Sequence, residues 1–344
     1  MKKYLKGLII TLVAVIALVP FISAKAADAV EINEASFDTA YANRPTVTNG
    51  ILSSSDGTIF TLHEGSYKLT GDIEKANLVF DGTVVIDLNG HTLTFDTYGL
   101  DEDDNVTFNG NGTVNGVMTA DSNAKLIING GNFNGDITVR GETDLVITDG
   151  TFTNDMGGAI HVETFGNVTI SGGKFTGGAG ASAMYIMEEA NVTISGGEFT
   201  SQGDNGVEAE TGVLNISGGV FKGAVAGLML GEPTLNLSGG KFISTNNGGI
   251  TTYIRTATND TFNSWLLDGY EYSPAVSVST NDYYAFSQKE IEVKKIATEE
   301  ATEEVEEPKT NNPNTSDNIM IYISLLGLSL IGLTGLKLSK KGLI

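Results

Sequence analysis

Apolar and polar residues alternate in short runs through the middle of this chain, and the runs recur. "NVTISGGKF" (Asn167 to Phe175) and "NVTISGGEF" (Asn191 to Phe199) differ only in Lys174 against Glu198. Looser copies end at Phe133 ("LIINGGNF"), Phe152 ("LVITDGTF"), Phe221 ("LNISGGVF") and Phe242 ("LNLSGGKF"), and earlier ones at Leu93 ("VVIDLNGHTL") and Val114 ("VTFNGNGTV"). From Leu93 onward they follow one another at 21, 19, 19, 23, 24, 22 and 21 residues. A near-constant spacing of that size is the mark of stacked repeats.

Within each copy two apolar residues flank a polar or variable one, as in Val168, Thr169 and Ile170, which is the period of a strand with one buried face. No helical period intervenes. Turn letters follow each strand, and glycine there permits positive φ at a sharp corner. After each phenylalanine comes a loop of variable length, then a second alternating segment: Ile137 to Val139, Ile160 to Val162, Met184 to Ile186, Val207 to Ala209, Leu228 to Leu230.

The pattern predicts an all-β chain: a single-stranded parallel β-helix solenoid of eight or more rungs, each with three short strands. No rung can shelter its own apolar edge, but a copy above it can. Phe133, Phe152, Phe175, Phe199, Phe221 and Phe242 should therefore form an internal column. Leu126, Leu145, Val168, Val192, Leu214 and Leu235 should form a second, and Ile128, Ile147, Ile170, Ile194, Ile216 and Leu237 a third. Asn129, Asp149, Ser171, Ser195, Ser217 and Ser238 are expected to align as a polar corner ladder. The solenoid is assigned to residues 55–255, an N-terminal cap segment of unassigned secondary structure to 27–54, and a C-terminal cap containing Trp265 to 256–295.

This arrangement resembles the right-handed parallel β-helix of the pectate-lyase-like superfamily. "LHEGSYKLTGDIEKANLVFDGTVVIDLNGHTLTF", Leu62 to Phe95, is similar to that family's first coils. The resemblance implies a right-handed coil but no particular activity, since one fold hosts many. Members that cleave polyuronides by elimination hold calcium on clustered aspartates and use arginine or lysine as base; hydrolytic members place several aspartates near Gly-His-Gly and Arg-x-Lys. Here arginine occurs only at Arg44, Arg140 and Arg255, and neither motif is present.

Candidate binding residues come from the outward positions of the second alternating segment: Thr138, His161, Tyr185, Glu208 and Met229. Among them His161, Tyr185 and Glu208 offer a sugar an aromatic face and polar groups, and ordinary solvated strand positions are the plainer alternative. Asp101, Asp103 and Asp104 in "LDEDDN" are candidate oxygen ligands for Ca²⁺, the one cofactor considered. The run lacks the regular Asp-x-Asp-x-Asp-Gly spacing, so a solvated acidic loop is the competing reading, and the same two readings apply to Asp204, Glu208 and Glu210. No catalytic set is recognised.

The two ends carry a different signal. Lys2, Lys3 and Lys6 precede an apolar run from Leu8 to Ile22 and a small-x-small site at Ala24 and Ala26, the order of a secretory signal peptide over residues 1–26. Residues 296–311 form an acidic spacer with six glutamates between Glu299 and Glu307, which like-charge repulsion extends. Residues 312–344 place a short polar motif before an apolar run from Ile319 to Leu336 and a tail with Lys337, Lys340 and Lys341. A plain membrane tail fits that order. Asn312, Pro313, Asn314, Thr315 and Ser316 also resemble the Leu-Pro-x-Thr-Gly sorting signal of Gram-positive wall proteins, departing from it at Asn312 and Ser316. That resemblance implies a sortase cysteine attacking the Thr315 carbonyl, cleavage before Ser316, and transfer to peptidoglycan, with membrane contact only through the apolar segment before sorting.

Composition fits export. The absence of cysteine excludes disulfides and thiolate metal sites. Removing both ends takes away seven of 20 Lys and Arg and one of 42 Asp and Glu, leaving about −28, which repels phosphate backbones and excludes nucleic acid as a partner. The expectation is a cell-wall-anchored, non-catalytic surface protein binding a glycan or a host protein. The alternatives are a surface-tethered polysaccharide lyase or glycoside hydrolase, and a purely structural wall component.

Overall fold

The alternation seen in the sequence becomes a stack of strands, each burying every second side chain. In the strand Asn167–Ile170, Val168 and Ile170 are buried while Asn167 faces out, and Asn191–Ile194 repeats the pattern. The computed structural model describes residues 29–297. Within them the chain is all-β, a parallel β-solenoid of about nine turns with about 5% helix.

From Lys125 onward each coil contributes one strand to each of three sheets. The first sheet stacks Lys125–Ile128, Asp144–Ile147, Asn167–Ile170, Asn191–Ile194, Val213–Ile216 and Thr234–Leu237, all parallel and in register. The second stacks Asn132–Asn134 through Lys241–Ser244. The third stacks Ile137–Gly141, Ile160–Thr164, Met184–Ile186, Val207–Ala209, Ala226–Leu230 and Gly248–Thr252. Earlier coils use longer strands: Ile73–Asp87 pairs in turn with Thr92–Leu100 and Asn105–Asn109, and so serves more than one sheet.

All three apolar columns point inward. The six phenylalanines stack nearly face to face, with centroids 5.3, 4.7, 4.5, 5.1 and 5.0 Å apart from Phe133 to Phe242. Register extends the column to Val114 and Leu93. Such stacking adds about 0.5–1.5 kcal/mol per pair beyond area burial.

The corner after the first sheet explains its paired glycines. Gly197 has φ +98°, a conformation that disfavours a side chain, and a Cβ on Gly196 would lie 2.3 Å from the Ser171 carbonyl oxygen. The second glycine thus turns the chain and the first admits the coil beneath. One expectation is corrected here. Ile147 opposes Ile128 and Ile170, so Thr148, not Asp149, stands above Asn129 and below Ser171. The Thr148 hydroxyl donates to Asn129 Oδ1 at 2.9 Å, and Asn129 Nδ2 to Asn109 Oδ1 at 2.9 Å, whereas Asp149 Oδ1 accepts from the Gly150 N–H.

Both ends are covered. Val30–Ile32 pairs parallel with Tyr67–Leu69, and Ile51–Ser53 antiparallel with Phe60–Leu62. Between them helix α1 (Glu34–Ala42) lays Phe37 against Phe60 and Phe95, at centroid distances of 5.3 and 5.7 Å, with Lys75 held by Glu34 and Asp38. At the far end Glu290–Lys295 runs antiparallel to Lys241–Ile243, and Ala285–Phe286 antiparallel to Thr251–Thr252. Helix α2 (Asn259–Asn263) buries Phe262, whose ring lies 4.6 Å from Trp265. These antiparallel strands occupy edges that would otherwise template further coils. Ala24, Ala26, the spacer beyond Ala297 and the motif Asn312 to Ser316 lie outside the described residues, as does the apolar run. Among the described residues no helix is long and apolar enough to cross a membrane.

Candidate functional site

One file of side chains on the third sheet holds the candidate binding residues, buried at its ends and accessible at its centre. Parallel register places Thr138, His161, Tyr185, Glu208, Met229 and Thr251 in a single file across six coils. The predicted residues His161, Tyr185 and Glu208 are therefore consecutive neighbours, while Thr138 and Met229, at the same facing, are buried.

His161 is held from two sides. Its Nδ1 lies 2.9 Å from Asp136 Oδ1, and this contact raises the imidazole pKa against the opposing effect of burial. Asp136 Oδ1 makes no aligned hydrogen bond, so the contact is an ion pair in character, while Oδ2 accepts from the Thr138 hydroxyl at 3.1 Å. Nε2 packs over Gly158, where a Cβ would come within 3.0 Å. The ring meets Tyr185 edge-on at 6.5 Å.

Around Glu208 the chain gathers three carboxyl groups. Glu208 lies on the strand Val207–Ala209 and Glu210 directly follows it, two residues on and beside Glu208. Asp204 reaches the same place from the loop before that strand. Ser182, one coil earlier, donates its hydroxyl to Glu208 Oε2 at 2.9 Å and approaches Asp204 Oδ2 at 3.3 Å. Asn205 Nδ2 donates to Glu208 Oε2 and Asp204 Oδ1, both at 3.0 Å. Glu210 lies over Gly231, where a Cβ would meet its Oε2 at 2.7 Å.

The electrostatics follow from crowding. Burial, then the Glu208 charge, raises the Asp204 pKa; the same two causes in the same order raise Glu210. Tyr185 is pushed up by burial and by both glutamates. Tyr253 is pushed up to about 12, chiefly by burial and then by Glu208 and Glu210, and its half-exposed ring stands 5.4 Å from Tyr284. The result is a donor-poor acidic patch walled by tyrosine rings, suited to accept hydrogen bonds from hydroxyl or ammonium groups and to stack a flat ring.

The other predicted site behaves differently. Asp104 is buried, with Oδ1 accepting from the Gly82 N–H at 2.7 Å and Oδ2 from the Asp101 N–H at 2.9 Å, so it braces its own turn. Asp103 occupies the positive-φ position of that turn, at +66°, and Asp101 is exposed. Among the described residues no three His, Asp or Glu side chains are grouped so as to hold a metal ion. His91 pairs with Asp72 across 3.4 Å and serves the corner.

Sequence reasoning named Asp204, Glu208 and Glu210 as scattered acids, not as a cluster, and passed over three members of the patch. Ser182 and Asn205 arrive from the variable loops, whose path no periodicity reveals, and Tyr253 follows the last regular strand of the sheet. Comparison of the chain with family models, with curated proteins and with solved structures finds no match.

Proposed function

We propose that this chain is an exported protein of a Gram-positive cell wall whose solenoid binds glycan through its third sheet. The observation that carries the binding half is the patch of Asp204, Glu208 and Glu210, with Tyr185 one coil before Glu208 and Tyr253 two coils after it. Acceptors beside exposed aromatic faces are the usual means of gripping a sugar's hydroxyls and its apolar ring face. Export and anchoring rest on the charged-apolar-small order of residues 1–26 and on the resemblance of Asn312 to Ser316 to a sorting signal, with sortase and peptidoglycan as partners. The acidic segment after Ala297 then serves as the spacer that lifts the solenoid from the wall.

A second reading, a surface-tethered glycoside hydrolase, is favoured by one observation. Asp204 and Glu210 have raised pKa values beside Glu208, and unequal carboxyl environments are how acid and base roles separate. One experiment addresses both: the purified full chain is screened on a glycan array, and each ligand found is incubated with it and examined for shortened products. Retention of an intact glycan supports binding alone. Product release that Glu208→Gln abolishes establishes the hydrolase, and no retained glycan on any array overturns both readings. Anchoring is tested by mass spectrometry of wall fragments, which should carry a chain ending at Thr315.

A further inference from the structure

We propose that the ligand of this patch is a cationic sugar chain, an oligomer of hexosamine with free amino groups, whose ammonium sits among Asp204, Glu208 and Glu210. The proposal rests on the glycan-binding reading above and names the class of glycan.

The first support is a missing countercharge. Among the described residues the ion pairs engage Glu34, Asp38, Asp72, Asp81, Asp136, Glu163, Glu290 and Glu292, and none engages Asp204, Glu208 or Glu210. Asp204 and Glu208 share two side-chain donors, the Ser182 hydroxyl and the Asn205 amide, and neither donor reaches Glu210.

Independent support comes from Asn205 itself. It is only 2% exposed, its amide group points into the cluster, and its Oδ1 has no hydrogen-bond partner. A buried polar atom without a partner is uncommon and costly, and here it stands at the edge of a group already short of donors. An ammonium supplies three donors and the missing charge together.

The surroundings select the rest of the ligand. Tyr185 stands one coil before Glu208 and Tyr253 two coils after it, so a cation held among the carboxyl groups has aromatic side chains on both sides. The file of His161, Tyr185 and Glu208 runs from coil to coil along the solenoid, so a polymer lying on it meets one coil about every 4.8 Å, close to the length of one sugar unit. A basic peptide fits less well. On this face the backbone groups of successive coils are spent on one another, leaving no strand edge for a peptide to join.

The test is titration calorimetry of the purified full chain with glucosamine oligomers, the same oligomers N-acetylated, neutral glucose oligomers, and oligolysine. We expect the free-amine oligomer to bind at least about tenfold more tightly than its acetylated form, since acetylation removes the charge and the donors. Glu208→Gln with Glu210→Gln should remove that preference while the melting transition stays cooperative. Tyr253→Ala, which lies outside the packed core, should weaken binding with the fold intact. Equal binding of acetylated or neutral oligomers overturns the cationic assignment and leaves glycan binding standing. Oligolysine as the tightest ligand replaces the sugar with a basic peptide, and failure of every ligand overturns both proposals.

Discussion

Phe175 and Phe199 stack with ring centroids 4.5 Å apart and planes 8° from parallel, at equivalent positions of successive coils. Each ring is therefore the floor of one coil and the roof of another. Phe199→Ala opens a cavity bounded by two rings and should cost about 3–5 kcal/mol, read from urea unfolding. Phe199→Asp buries a charge without a partner and should abolish the cooperative transition. A melt unchanged from wild type in either variant would contradict this role for the column.

The glycine pair at Gly196 and Gly197 makes a graded prediction. Gly197→Ala places a side chain at φ +98° with its nearest contacts at 3.2 Å, and should cost about 1–2 kcal/mol. Gly196→Ala drives a Cβ to 2.3 Å from a carbonyl oxygen of the coil below, so that two coils must separate. Thermal unfolding should rank Gly196→Ala as the more damaging. The reverse order would mean that turn conformation, rather than coil spacing, governs the corner.

How much of this was readable beforehand varies along the chain. The core columns were legible because period-two burial and a repeated phrase constrain each other: a one-residue slip would turn Val168 and Ile170 to solvent. The corner ladder failed at Asp149 because "TDG" and "SGG" offer similar turn letters, and only pairing with Ile170 shows that Thr148 holds the place. Helix α1 went unassigned because capping segments do not repeat, and Phe37 and Ala40 alone make its buried stripe. Of the patch, the file of His161, Tyr185 and Glu208 followed from strand alternation. The convergence of Ser182 and Asn205 on Glu208 and Asp204 did not, since it depends on the shape of loops.

The acids of the patch should weaken the fold at neutral pH. Glu210 has a raised folded pKa, so its contribution to stability is full below the ordinary value of 4.5 and is lost as pH rises through the folded value. Glu210→Gln removes the repulsion with Glu208 and should stabilise the protein at pH 7 by about 0.5 kcal/mol, the scale of an exposed charge pair. The gain should disappear below about pH 4.5. Melting curves from pH 4 to pH 8 test this. A destabilised variant at pH 7 would show that Glu210 holds the fold together instead of being kept for a ligand.

His161 should titrate in the same direction for the opposite reason. Its partner is a carboxylate of opposite sign, so the folded pKa lies above the ordinary 6.5 because the charged form is favoured. The stabilisation is fully present below about pH 6.5 and fades as pH rises through the folded value. Asp136→Asn keeps the shape but removes the charge; with the largest cause of the raised value gone, burial and the Arg140 charge, opposed only by Glu163, should then bring the His161 pKa down. Proton NMR of the ring resonances reads the shift directly. Because Tyr185 stands edge-on to that ring, its signals should move with the same midpoint in wild type. A His161 midpoint unaffected by Asp136→Asn would mean that Glu163 and Arg140, the other charges bearing on the ring, set its titration.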